Sequence, residues 1–145
     1  MTTTTRTRAE RTGLLARAQA GALITLADGC LAGTAQPVVT QPPETGMVML
    51  TVREPVESTR FHLAEVLVTR CEVRHRDAHG WAMRMGSDPA AALAAAVLDA
   101  EVESDGPLAG AVIELCDVTQ HQLALDEARE WQDIEPTIVD FEEMD

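Results

Sequence analysis

Leu67-Val68-Thr69-Arg70-Cys71-Glu72-Val73-Arg74-His75-Arg76-Asp77-Ala78-His79-Gly80-Trp81-Ala82-Met83-Arg84-Met85-Gly86-Ser87-Asp88-Pro89 contains a strand, a turn, a second strand and a helix start in one run. Leu67, Thr69, Cys71 and Val73 share one parity, opposed by Arg70, Glu72, Arg74 and Arg76. This is the period-two pattern of a strand with one apolar face. Asp77-Ala78-His79-Gly80 is a hairpin signal, because Gly takes positive φ without a Cβ clash. Trp81, Met83 and Met85 alternate on the return strand. Gly86-Ser87-Asp88-Pro89 then opens a helix. Ser87 or Asp88 can cap it, and Pro89 suits the first helical position, where an N–H is not needed.

Working outward, residues 90–103 read as an Ala-rich helix with Leu93, Val97 and Ala100 as its buried stripe. Asp105-Gly106-Pro107 ends it. Residues 110–115, with Val112, Ile113 and Leu115, suggest a short strand. Asp117 and Gln120 then suggest a capping box on a last helix, striped by Leu125, Ala128 and Trp131 and stopped by Pro136. On the N-terminal side, residues 60–76 are β-rich, with a turn or bulge at Ala64-Glu65. Residues 47–53 are the clearest strand, apolar on both faces, which predicts cover on both sides. Residues 36–41 are a short extended piece, and Pro42-Pro43 marks a turn. Residues 8–27 carry helical spacing in Leu14, Leu15 and Ala18, then Leu23, Ile24 and Leu26, with Gly21 as a break and Gly29 or Gly33 as a stop. The expectation is one α+β domain over residues 1–145: an antiparallel β-sheet flanked by N-terminal helices and two C-terminal helical segments. Residues 1–7 read as a flexible tail. Residues 136–145 read as a tail that either docks on another chain or folds back on its own core.

Charge excludes whole classes of partner. The 145 residues carry 24 acids against 11 bases, a net charge of −13, and every base is Arg. Nucleic acids and anionic membranes both need a basic face. Such a surface fits a salt-loving source, although a GC-rich genome also exchanges Lys for Arg. The N-terminus has no signal-peptide core and no apolar run approaches the ~20 residues of a membrane helix, so a cytoplasmic protein is expected. Cys30, Cys71 and Cys116 contain no CxxC pair and read as buried, reduced thiols.

Individual residues do not announce catalysis. His75, Asp77 and His79 read as a solvated turn, since alternate strand residues point to opposite faces and a zinc site needs further ligands. Arg70, Arg74 and Arg76 match phosphate in kind, but acids are plentiful for pairing. Ser87-Asp88 lacks the spacing of a phosphate loop. Glu44, Glu65 and Asp88 are isolated acids. Met47, Met49, Met83 and Met85 make two strands thioether-rich, which suits an adaptable contact surface.

Three stretches together resemble the PhnG family of carbon–phosphorus lyase core-complex subunits. They are Pro43-Glu44-Thr45-Gly46-Met47-Val48-Met49, then residues 61–73 with Thr69-Arg70, then Gly80-Trp81 through Gly86-Ser87-Asp88 to Asp99-Ala100. Val139-Asp140-Phe141 with Met144 is similar to the family's ending. The resemblance implies assembly with PhnH-, PhnI- and PhnJ-like subunits and support for displacement of adenine from ATP by a phosphonate. It implies no catalytic, metal or cofactor site in this chain; ATP as substrate, and S-adenosylmethionine with an iron–sulfur cluster, belong to the partners. Glu44, Gly46, Thr69, Arg70, Gly86, Asp88, Phe141 and Met144 would hold the fold or the partner interface. The alternative is a stand-alone homodimer that binds a small molecule.

Overall fold

A computed structural model describes residues 6–32 and 36–139. Helices α1 (Arg8–Leu15) and α2 (Ala20–Leu31) precede strands β1 (Val38–Arg53), β2 (Arg60–His75) and β3 (Ala78–Met85). Helices α3 (Pro89–Glu103) and α4 (Ala109–Ile134) follow, and a 3₁₀ turn, Glu135–Thr137, closes the described chain. The sheet is antiparallel in the order β1-β2-β3. The α+β expectation holds.

Helix α1 begins at Arg8, as expected, and only its cap lies within the expected tail. Thr7 caps it, accepting from the Glu10 N–H while its own N–H donates to the Glu10 carboxylate. Two otherwise orphaned donors are satisfied at once. The chain bends by 118° between α1 and α2, at residues 16–19 rather than at Gly21, which lies inside α2. Among the described residues no single helix is long and apolar enough to cross a membrane.

Helix α3 is the centre of the fold. It packs chiefly against β3, α2 and β2, and also meets β1, α4 and α1. Val97 and Ala100 of the expected stripe are buried and Leu93 is partly buried against the same core, but burial extends well beyond a stripe: residues 91, 92 and 94–101 are all buried. Alanine makes this possible, because a helix flanked by neighbours on several sides needs a narrow cross-section. Gly80 of β3 extends the same economy. A Cβ there would lie 2.0 Å from the Ala96 carbonyl oxygen.

Three further expectations are corrected. Residues 110–115 are helical, part of α4. Val112, Cys116 and Thr119 are its buried face, and their spacing is helical. Asp117 is thus inside α4, where it pairs with Arg6, and Gln120 accepts from Arg6. Leu125, Ala128 and Trp131 are exposed rather than buried. Finally, Pro42-Pro43 does not end a strand. β1 runs through it, with irregular register between Gln41 and Glu44. Proline is tolerated because β1 is an edge strand and a bulge needs no ladder donor there.

The hairpin between β2 and β3 is tighter than expected. His75 pairs with Ala78, leaving Arg76 and Asp77 as a two-residue loop with φ of 50° and 62°. Two positive-φ residues match the right-handed twist of the flanking strands. Gly80 is free to serve packing instead.

Candidate functional site

Strand alternation decides which side chains meet. Thr69, Cys71, Val73 and His75 of β2 face α3 and are buried. Burial raises the thiol pKa of Cys71 and Cys116 and raises that of Cys30 to about 11, so none is a ready thiolate. His75, expected in a solvated turn, is buried with Nε2 3.4 Å from a Glu101 carboxylate oxygen. His79 is exposed and pairs with Glu72 at 3.1 Å.

Two buried acids went unread in the sequence. Asp99 accepts from Arg8 at 2.7 Å, from Arg11 at 2.8 Å and from the Trp81 N–H at 3.1 Å. It ties α1, α3 and β3 together. Glu101 accepts from Arg76 at 3.0 Å and from the Leu108 N–H at 3.0 Å. It ties the hairpin loop to the α3–α4 connection. The available signal was spacing: Asp99 and Glu101 interrupt an otherwise apolar helix, where charge survives only if paired.

Several motif residues converge at the corner where β3 passes into α3. Thr69 is buried and its hydroxyl donates to the Gly86 carbonyl at 2.8 Å. With its hydrogen so used, Thr69 Oγ1 accepts from Thr45 Oγ1 at 3.0 Å. Gly86 has φ of 89°, a left-handed conformation that favours glycine, and its N–H donates to the Leu67 carbonyl. Asp88 caps α3 by accepting from the Ala91 N–H at 3.0 Å. The contacts shown by Thr69, Gly86 and Asp88 are thus all within the chain.

Glu44 and Arg70 are register partners on the opposite face. Arg70 lies 3.9 Å from Glu72. Arg76 is engaged by Glu101, and Arg74 is exposed. Gly46 pairs with Val68, where the three-stranded part of the sheet ends. Phe141 and Met144 lie outside the described residues, as does most of the acidic tail.

Beyond Gly46 and Val68 the sheet continues as a two-stranded ribbon of β1 and β2. Opposed residues share a face, so Val48 and Val66, Leu50 and Ala64, and Val52 and Phe61 form one side. Met47 and Leu67 begin the other. Among the described residues the expected cover is missing on both faces: Met47 is 56% exposed, Met49 55%, Phe61 43% and Leu63 58%. Register shifts by one residue between Leu50 and Thr51, so Leu63 is the extra residue of a bulge, next to the predicted Ala64-Glu65. The tip is well held. The Glu54 carboxylate accepts from the N–H groups of Val56, Glu57 and Thr59, which lowers its pKa. A two-stranded hairpin is marginal alone in water, and apolar side chains on both faces are what a covered strand carries.

Among the described residues no group of three or more His, Cys, Asp or Glu is arranged to hold a metal ion. The ribbon is thus the feature that most needs a functional account. No curated protein sequence matches the chain significantly. The family described as "Phosphonate metabolism protein PhnG" matches residues 6–145. With that match over nearly its whole length, the chain belongs to the PhnG family of phosphonate metabolism proteins.

Proposed function

We propose that this chain is a non-catalytic subunit of the carbon–phosphorus lyase core complex, built to dock on its partner subunits through the β1–β2 ribbon. The observation that carries this reading is the ribbon's exposed apolar surface on both faces. A free protein gains nothing by leaving such a surface in water, whereas an assembly buries it.

The reaction supported would be transfer of a phosphonate to the ribose of ATP, as in an α-D-ribose 1-methylphosphonate 5-triphosphate synthase. A phosphonate oxygen bonds to ribose C1, the bond from C1 to adenine breaks, and adenine leaves with a proton. Chemistry of this kind needs groups free to act on substrate. The buried acids Asp99 and Glu101 are each engaged by arginine, and the three buried thiols are held protonated. That supports placing the reaction centre in a partner.

The test is purification of the tagged chain from its native host in high salt, with mass spectrometry of what accompanies it. PhnI- and PhnJ-like chains in near-equal amounts are the expected result. A homodimer at every salt concentration would reject the reading and leave a self-sufficient ligand-binding protein in its place.

A further inference from the structure

The free edge of β1 is the second unsatisfied feature of the ribbon, and the hydrogen bonding fixes which residues present it. The Leu67 carbonyl accepts from the Gly86 N–H, so Leu67 turns its backbone toward the β3 side of the sheet. Successive strand residues alternate the edge to which N–H and C=O point. Val66 and Val68 therefore point to β1, where they meet Val48 and Gly46. Met47 and Met49, opposite Leu67 and Glu65, then point away from β2. Thr51 follows in the same alternation. These three residues present backbone donors and acceptors along the outer edge.

Nothing in the sequence blunts this edge. Residues 45–52 contain no charge and no proline. Natural edge strands are commonly protected by one or the other. Here protection stands only at the ends, with Pro42-Pro43 before the stretch and Arg53 after it. Charge selects the occupant. A second copy would bring another −13 to the first, making −26 in all. A chain of different sequence, neutral or basic, meets no such repulsion and is steered toward this one.

We infer that the edge formed by Met47, Met49 and Thr51 is completed by an extended segment of a different, neutral or basic chain, which adds a strand to the sheet next to β1. Resting on the proposed role as a complex subunit, this assigns that docking to backbone pairing and not to side-chain contact alone. Specificity then comes from the exposed apolar side chains on the two faces, and affinity from the shared ladder.

Met49→Pro and Met49→Ala separate the two contributions. Proline at an outward-pointing position removes an edge donor without touching the β1–β2 ladder. Alanine removes the side chain and keeps the donor. In the native-host purification, Met49→Pro should lose the partner chain by at least about tenfold. Met49→Ala should retain it to a far greater extent, and both variants should keep the wild-type circular dichroism spectrum. If Met49→Pro misfolds, hydrogen exchange on the wild-type complex decides. Slow exchange at Met47, Met49 and Thr51 as well as at the inward amides supports edge pairing, and fast exchange at those three overturns it. Recovery of the partner by folded Met49→Pro at wild-type level overturns the edge pairing while leaving the subunit role intact. A wild-type chain recovered alone or only with itself overturns both.

Discussion

Asp99 is a buried acid on which polar contacts from α1 and β3 converge. It is fully buried and holds Arg8, Arg11 and the Trp81 N–H. Removing one member of such a set leaves Arg11 buried with less than its full compensation. Asp99→Ala should cost about 3–5 kcal/mol, measured by urea unfolding. A loss within about 0.5 kcal/mol, as for an ordinary surface change, would show the network to be dispensable. Cys30 gives a prediction in pH. Burial, and then the nearby Glu101 charge, raise its pKa from 9.0 to about 11. The folded chain holds this proton when the unfolded chain has released it. Its contribution to stability is therefore complete below about 9 and is lost as pH rises toward 11. Unfolding free energy should fall across that window, and Cys30→Ala should flatten the decline.

At the scale of elements, β3 and α3 are joined by the absence of a side chain. Gly80→Ala would place a methyl 2.0 Å from the Ala96 oxygen, in backbone that cannot move aside cheaply. Strands and helix would have to separate. The expected loss is about 1–3 kcal/mol or more, read as a lower Tm. The second half of α4 behaves in the opposite way. Trp131 is 55% exposed and lies past the buried face formed by Val112, Cys116 and Thr119. Trp131→Ala should change the isolated chain's stability by no more than about 0.5 kcal/mol, in contrast to a core tryptophan. A large loss in urea unfolding would mean that this half of α4 packs against the fold after all.

The whole molecule carries −13, and its surface acids repel one another. Salt screens exposed charge over roughly 3 Å at 1 M but acts much less on buried pairs. The Asp99 and Glu101 networks should therefore persist while the surface relaxes. Tm should rise between low salt and 1 M potassium chloride. A flat or falling Tm would favour a composition that reflects base content alone. On the proposed docking, the same charge would oppose pairing of the ribbon with its own copy and favour a chain of different charge.

Much of this was legible in one dimension. Period-two alternation identified β2 and β3, because a strand with one face on a helix must alternate. Asp88-Pro89 fixed the start of α3, since capping is local chemistry. The motif residues Thr69, Gly86 and Asp88 could be named from the sequence, but only the fold brought them to one corner. Tertiary packing decided the rest. Whether residues 110–115 were strand or helix depended on what they pack against, because a short apolar run satisfies either period. An apolar β1 predicted cover on both sides, yet among the described residues its Met47–Leu50 stretch stays exposed, since the central helix lies mainly against β2 and β3. The sequence alone therefore determined the elements with local signals, the acidic surface and the family. The tertiary structure decided which charges are buried, which apolar faces stay open and which strand lies at the edge of the sheet, because those depend on neighbours distant in sequence.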